Sequence, residues 1–297
     1  MRTYIIIGIM MMAGSVAAGQ QVPLSENYFL DRYSLAPSYA GNFNTKYLFM
    51  GYRSDWTGVD GGPKTLRLSY NDVLMQNAGV GGKIIYDKAG IFRQLYVMGS
   101  YSYRLEVAET HFLMFGLSAG IYSNGIDMSQ YYDDPDYTID PALVNENIKS
   151  KIKFISEYSV VYRGENIEAG FLFNNVTFGD ATYSETETVY TPMANFQFHG
   201  VYSWIIDENW KVNPLLIVRG GKNIRSQFEI AAQTVYSDRF WGSVVYRDPG
   251  IIGAGLGLQI DKGLKFGYNF NFATNIEMGA FNSHEVVLGV NIFEYVK

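Results

Sequence analysis

The run Leu264-Lys265-Phe266-Gly267-Tyr268-Asn269-Phe270-Asn271-Phe272 decides how the rest of the chain is read. Alternate residues of an extended strand point to opposite faces, so Leu264, Phe266, Tyr268, Phe270 and Phe272 form one surface and Lys265, Gly267, Asn269 and Asn271 the other. A helix would scatter both sets around its circumference, so the run reads as a strand with one aromatic and one polar face. The same division appears where Ala194, Phe196, Phe198, Gly200, Tyr202 and Trp204 oppose Asn195, Gln197, His199 and Ser203, with Val201 the one apolar exception. Towards the carboxyl end His284, Val286, Leu288, Val290 and Ile292 oppose Glu285, Val287, Gly289, Asn291 and Phe293. Nearer the amino end Leu66, Leu68 and Tyr70 oppose Thr65, Arg67, Ser69 and Asn71. Neither Arg67 nor Glu285 suits lipid, so their faces are expected to look inward.

A soluble sandwich also alternates, but two features separate this chain from one. The runs are about nine to eleven residues long, the length a tilted strand needs to cross hydrocarbon. The links between them also differ in length. Short ones are expected near Asp72–Gln76, Arg104–Thr110, Arg163–Asn166, Asp207–Asn209, Ser237–Arg239 and Asp261–Gly263, and longer ones at Ser54–Gly62, Ile126–Ser150, Asn175–Thr191 and Ala273–Asn282. Short periplasmic turns facing longer external loops are the outer-membrane pattern. The expected fold is therefore all-β, a transmembrane antiparallel β-barrel of about 14 strands, with both termini periplasmic. Closure would satisfy the backbone hydrogen bonds in lipid.

Composition agrees, with 24 Tyr and 19 Phe beside 31 Gly and only 8 Pro. The absence of Cys excludes disulfides, thiolate metal sites, a cysteine nucleophile and a lipid-modified cysteine. A net charge of -6, with 23 basic residues dispersed along the chain, offers no stripe for a phosphate backbone, so nucleic acid is not expected as a partner. At the amino end Met1-Arg2, the apolar Tyr4–Met12 and the small residues Val16-Ala17-Ala18-Gly19 read as a signal peptide over 1–19. Residues 20–45 form an amino-terminal segment for which both a periplasmic and a lumen location are open, and 46–297 form the barrel.

The three histidines, His111, His199 and His284, lack metal-ligand spacing. Ser283 and His284 would point to opposite faces of a strand, which defeats a nucleophile-to-base hydrogen bond. Gly253, Gly255 and Gly257 alternate within a strand and are followed by no phosphate-loop signature. The acidic run Tyr131–Tyr137 lacks the spaced ligands of a calcium loop. No catalytic, cofactor or metal site is expected, and the protein is read as no enzyme. Arg67, Glu157, His199, Arg219, Lys265 and Glu285 are candidate lumen polar residues, serving either as mutually satisfied filling or as the lining of a conduction path.

Three motifs carry a resemblance. They are Leu35-Ala36-Pro37-Ser38-Tyr39-Ala40-Gly41, then Arg53-Ser54-Asp55-Trp56-Thr57-Gly58 followed by Gly61-Gly62-Pro63-Lys64-Thr65, then Asn282-Ser283-His284-Glu285. In that order they resemble the PorP/SprF family of type IX secretion system outer-membrane proteins from Bacteroidota. The chain departs from the family pattern at Ala36, Ser38 and Asp55. The resemblance implies a barrel that ties the type IX machinery to the outer membrane or supports delivery and surface attachment of exported proteins such as adhesins, with a link to gliding motility. The implied partners are outer-membrane lipid, periplasmic and surface proteins of that system, and a peptidoglycan-linked lipoprotein. Arg53, Trp56, Gly58 and Pro63 are the candidate partner or turn motif: turn chemistry, with Trp56 as an interfacial anchor, accounts for most of it, and a direct partner contact stays open. The alternative is an outer-membrane transporter of hydrophobic small molecules similar to the fatty-acid importers, which would need a continuous apolar path through the lumen.

Overall fold

The computed structural model of the protein describes residues 25–42, 46–127, 147–149, 152–178, 194–221, 224–274 and 282–295. The expected signal peptide and the acidic run of residues 131–137 lie outside them. Fourteen antiparallel strands follow one another: β1 (Tyr47–Asp55), β2 (Lys64–Met75), β3 (Ala78–Ala89), β4 (Phe92–Ala108), β5 (His111–Asp127), β6 (Lys153–Arg163) and β7 (Ile167–Phe178). The second half comprises β8 (Asn195–Tyr202), β9 (Trp210–Gly221), β10 (Ile224–Tyr236), β11 (Phe240–Arg247), β12 (Ile251–Gln259), β13 (Leu264–Ala273) and β14 (Asn282–Asn291). Trp204–Ile205 prolongs β8 beyond Ser203, and the short strand Asn147–Lys149 adds to the end of β5. Each strand pairs with the next, and β14 pairs with β1 from Tyr47↔Asn291 to Asp55↔Ser283, so the sheet closes without an edge.

The pleat sets the two faces as the alternation requires. On β13 the side chains of Asn269 and Asn271 are buried while Phe272 is exposed; on β8 Gln197, His199 and Val201 are buried while Phe196, Phe198 and Tyr202 are exposed. The outward rows on other strands, such as Leu66, Ile84, Val244 and Leu256, are likewise exposed and apolar. A surface of this kind is stable against hydrocarbon and not against water.

Two details depart from the expected links. The six short turns all fall at one end of the barrel, hereafter the turn end. At the other, the loop end, β3 joins β4 through Gly90-Ile91 and β11 joins β12 through Asp248–Gly250, so short links occur there as well. Gly90 (φ 58°) and Gly250 (φ 117°) supply the left-handed backbone that lets the chain reverse so tightly. The hairpin of β4 and β5 is also longer than expected. Both strands have 17 residues, and pairing runs to Ala108↔His111, past the end of β3 at Ala78↔Tyr103, so most of Arg104–Thr110 is strand.

Residues 25–42 lie inside the barrel as a plug. Three single 3-10 turns, Asn27–Phe29, Arg32–Ser34 and Pro37–Tyr39, follow one another. Tyr28, Leu35, Ala36 and Tyr39 form a core with inward-facing residues that include Met114, Val161, Val201 and Ile217. This accounts for Val201, the exception on its polar face: its partner is the plug. Leu30 similarly joins Tyr47, Phe49 and Val287 beneath the β1–β14 seam. Among the described residues no helix is long and apolar enough to cross a membrane.

Candidate functional site

The site is built where the plug meets the seam. Arg53 on β1 faces Glu285 on β14 in the register, and Glu229 on β10 faces Arg247 on β11. All four side chains point inward, because each alternates with outward neighbours such as Tyr52, Val286, Ile230 and Tyr246. The plug inserts Glu26 between the two pairs. Its Oε1 lies 3.2 Å from Nη1 of Arg53 and also takes an ion pair from Nη2 of Arg247 and a hydrogen bond of 3.1 Å from the amide of Asn271. Arg247 reaches Glu229 through Nε at 2.8 Å, and Arg219 reaches the same carboxylate oxygen at 3.0 Å. Arg53 in turn meets Asp55 at 2.9 Å and Glu285 at 3.5 Å, while Glu285 accepts from the backbone N–H of Glu26 at 2.8 Å and the Ser25 hydroxyl at 2.6 Å. Charges of opposite sign thus alternate from Arg219 to Asp55. Arg247, Glu229 and Glu285 are each at most 1% exposed, so these charges depend on their neighbours and not on solvent.

Further anchors fix the plug around the wall. Tyr33 shares a hydrogen bond of 2.6 Å with Ser100, Ser38 N–H donates to Ser159, and the Gly41 N–H donates to Asn71. Tyr39 donates to Glu168 and hydrogen-bonds His199 at 3.0 Å. The Asp31 carboxylate takes the Ser69 hydroxyl at 2.5 Å, yet burial pushes its pKa above the usual carboxylate value. Two wall glycines allow this approach. A Cβ on Gly116 would stand 2.0 Å from the Ser38 nitrogen, and one on Gly79 would stand 2.2 Å from the Ala40 oxygen.

The candidate residues divide. Glu285 belongs to the charge chain, Glu157 pairs with Lys83 at 2.5 Å, and His199 is held by Tyr39. Lys265 faces inward near the turn end with its ammonium 4.4 Å from the Tyr47 ring centre. Arg67 stands on β2 in the field of Glu285, and its Nε and Nη2 meet neither solvent nor a hydrogen-bond partner among the described residues. It lines an internal cavity of about 100 Å³ together with Asp31, Lys83 and Glu157. Trp56, Gly58 and Pro63 stay together in the β1–β2 loop, which is pinned to the start of β14: Trp56 N–H donates to the Asn282 carbonyl and Thr57 N–H to its side chain, both at 2.7 Å. Arg53 must be separated from that group. Its side chain is buried in the lumen, since a residue two positions before Asp55 on an inward-facing row cannot also present itself with the loop. Glu229 and Arg247 were not among the candidates, although their alternation with Phe228, Ile230, Val244 and Tyr246 marks them as inward. Glu26 carries no such periodic signal.

A closed antiparallel barrel with an apolar outer belt, its lumen filled by its own amino-terminal segment, defines the class: a plugged outer-membrane β-barrel. Three solved structures are similar in fold. The Ralstonia pickettii toluene transporter TbuX aligns with a TM-score of 0.52 at 10% identity, over 91% of this chain and 94% of that one. The CymD monoaromatic hydrocarbon channel gives 0.52 at 12% identity over 92% and 93%, and the Pseudomonas putida toluene transporter TodX gives 0.51 at 10% over 92% and 96%. No curated protein matches the sequence significantly. Residues 17–290 match the family described as type IX secretion system membrane protein PorP/SprF, and the chain belongs to that family. All three motifs lie within this span. The first anchors the plug, and the second and third meet at the seam through Arg53, Glu285, Trp56 and Asn282.

Proposed function

We propose that this barrel is a non-enzymatic outer-membrane component of the type IX secretion system that offers binding surfaces and not a passage. It would tie periplasmic partners, including a peptidoglycan-linked lipoprotein, to the membrane, or support delivery and surface attachment of exported proteins such as adhesins. The observation that carries the reading is that the second and third family motifs meet at the seam, where Arg53 and Glu285 latch Glu26 of the plug, while the first holds the plug against the wall. Residues that serve a conduit would line an open path, whereas these fasten the plug and the β1–β2 loop to the seam. On this reading the turn end, where β14 finishes, faces the periplasm, and the loop end, toward which Ser25 and Glu26 of the plug lie, faces outward.

A transporter of hydrophobic molecules is the second reading, and the fold likeness to hydrocarbon transporters is what speaks for it. Against it stand the charged lumen face and a cavity of about 100 Å³, well below the ~300 Å³ at which small-molecule sites begin. One deletion strain separates the two. Loss of type IX-exported proteins from the surface and medium, with an intact outer membrane and normal uptake of hydrophobic nutrients, is the expected result. Unchanged export with impaired uptake would overturn the proposal. Export is measured over the whole surface proteome, so that loss of one substrate is not missed.

A further inference from the structure

The outer wall carries a row of basic groups at the loop end that plays no part in the latch. Ser54, Lys64, Lys88 and Arg93 stand directly opposite one another on β1 to β4, in the pairs Ser54↔Lys64, Lys64↔Lys88 and Lys88↔Arg93. Their neighbours Arg53, Thr65, Asp87 and Gln94 are each at most 8% exposed and face inward, so the row itself faces outward. His284, opposite Ser54 on β14, extends it across the seam. Like charges directly opposite on neighbouring strands repel. Arg93 is paired with Asp127, but the ammonium groups of Lys64 and Lys88 have no ion pair or hydrogen bond among the described residues.

The next outward row is Tyr52, Leu66, Tyr86 and Leu95, and beyond it lie Met50, Leu68, Ile84 and Val97. The lysines therefore begin about 7 Å along the strand from an unbroken apolar belt, at the height where lipid headgroups meet the wall. Beside them the β1–β2 loop and Gly90 enclose a cleft of about 260 Å³ lined by Lys64, Lys88, Asp60 and the glycines Gly61 and Gly62. Asp60 is the one carboxylate in that lining, against two ammonium groups.

We infer that Lys64 and Lys88 form a binding site for the phosphate of a membrane lipid headgroup, seated in this cleft with its acyl chains along the apolar belt. A lysine near an anionic lipid surface contributes about fivefold to binding. Purified barrel in zwitterionic micelles is titrated with a diphosphorylated glucosamine lipid, and folding of every variant is checked by its migration on unheated gels. Lys64→Gln with Lys88→Gln should weaken binding about 25-fold, Lys211→Gln at the turn end should leave it unchanged, and the dephosphorylated lipid should bind the parent as weakly as the intact lipid binds the double variant. If the double variant fails to fold, each single variant should show its own loss of about fivefold. Equal affinity of parent and variants, or equal binding of the dephosphorylated lipid, would overturn the site. Complete displacement by inorganic phosphate would reassign it to a free anion.

Discussion

Glu26→Gln leaves the guanidinium groups of Arg53 and Arg247 each short of an anionic partner in a wall where neither reaches water. Removing one member of a buried ion pair costs about 3 to 5 kcal/mol, because the charge left behind keeps its desolvation penalty. The loss here is capped by the free energy of plug release, so two readouts are needed. The variant should unfold at lower urea, and a cysteine at Ser25 should react faster with a water-soluble reagent than in the parent. Replacing Glu26 by Leu together with Arg247 by Met should recover part of the loss, since Glu229 retains Arg219 and Arg53 retains Asp55 and Glu285. On the outer face the determining quantity is transfer into lipid. Val244, 60% exposed in the middle of β11, should tolerate Leu, whereas Val244→Arg should cost about 2 to 4 kcal/mol near the bilayer centre and lower the yield of heat-modifiable, folded barrel.

Between plug and wall the contact is backbone against glycine, and this places a prediction on the element and not on one charge. Gly116→Val would put side-chain atoms where the Ser38 nitrogen now lies, so the plug has to move away while β5, whose outward face is unaltered, stays in the wall. Protease should then cut within residues 25–42 of the variant and spare the same segment in the parent. Deleting residues 25–41 altogether should turn a barrel of low conductance in planar bilayers into a stable channel; an unplugged barrel that still blocks current would place the barrier elsewhere. The strands were legible from the sequence because a period of two writes each face directly, as β13 and β8 illustrate. Their lengths were less so, since Leu105 and Val107 continue the alternation of β4 beyond the membrane requirement. The plug's position was not legible. Its 3-10 turns are too short for any periodicity, and the wall residues that receive it, Val201 and Val287, look only like lapses in a polar face.

At the scale of the whole barrel the six turns gathered at one end predict an orientation. With cysteines at Asp60, in the β1–β2 loop, and at Glu208, in the turn before β9, a membrane-impermeant reagent on intact cells should label the first and spare the second. The reverse pattern would invert the barrel and send the search for partners to the other side. Half of the candidate site was legible on the same scale: Arg67, Glu157 and Glu285 face the lumen because charge has no other place at the hydrocarbon height of a membrane wall. What joins them could not be read, because the latch brings together residues with no common local pattern. The bond from Glu26 to Glu285 spans 259 positions, and it sits on the strand pair that seals the cylinder. A chain that has not yet delivered β14 to its place therefore lacks the seam and the Glu285 arm of the latch at once, exposing a raw β-edge together with an amino-terminal segment short of its anchors. Incomplete and finished barrels thus differ at both ends of the polypeptide, and one contact carries word of each end to the other.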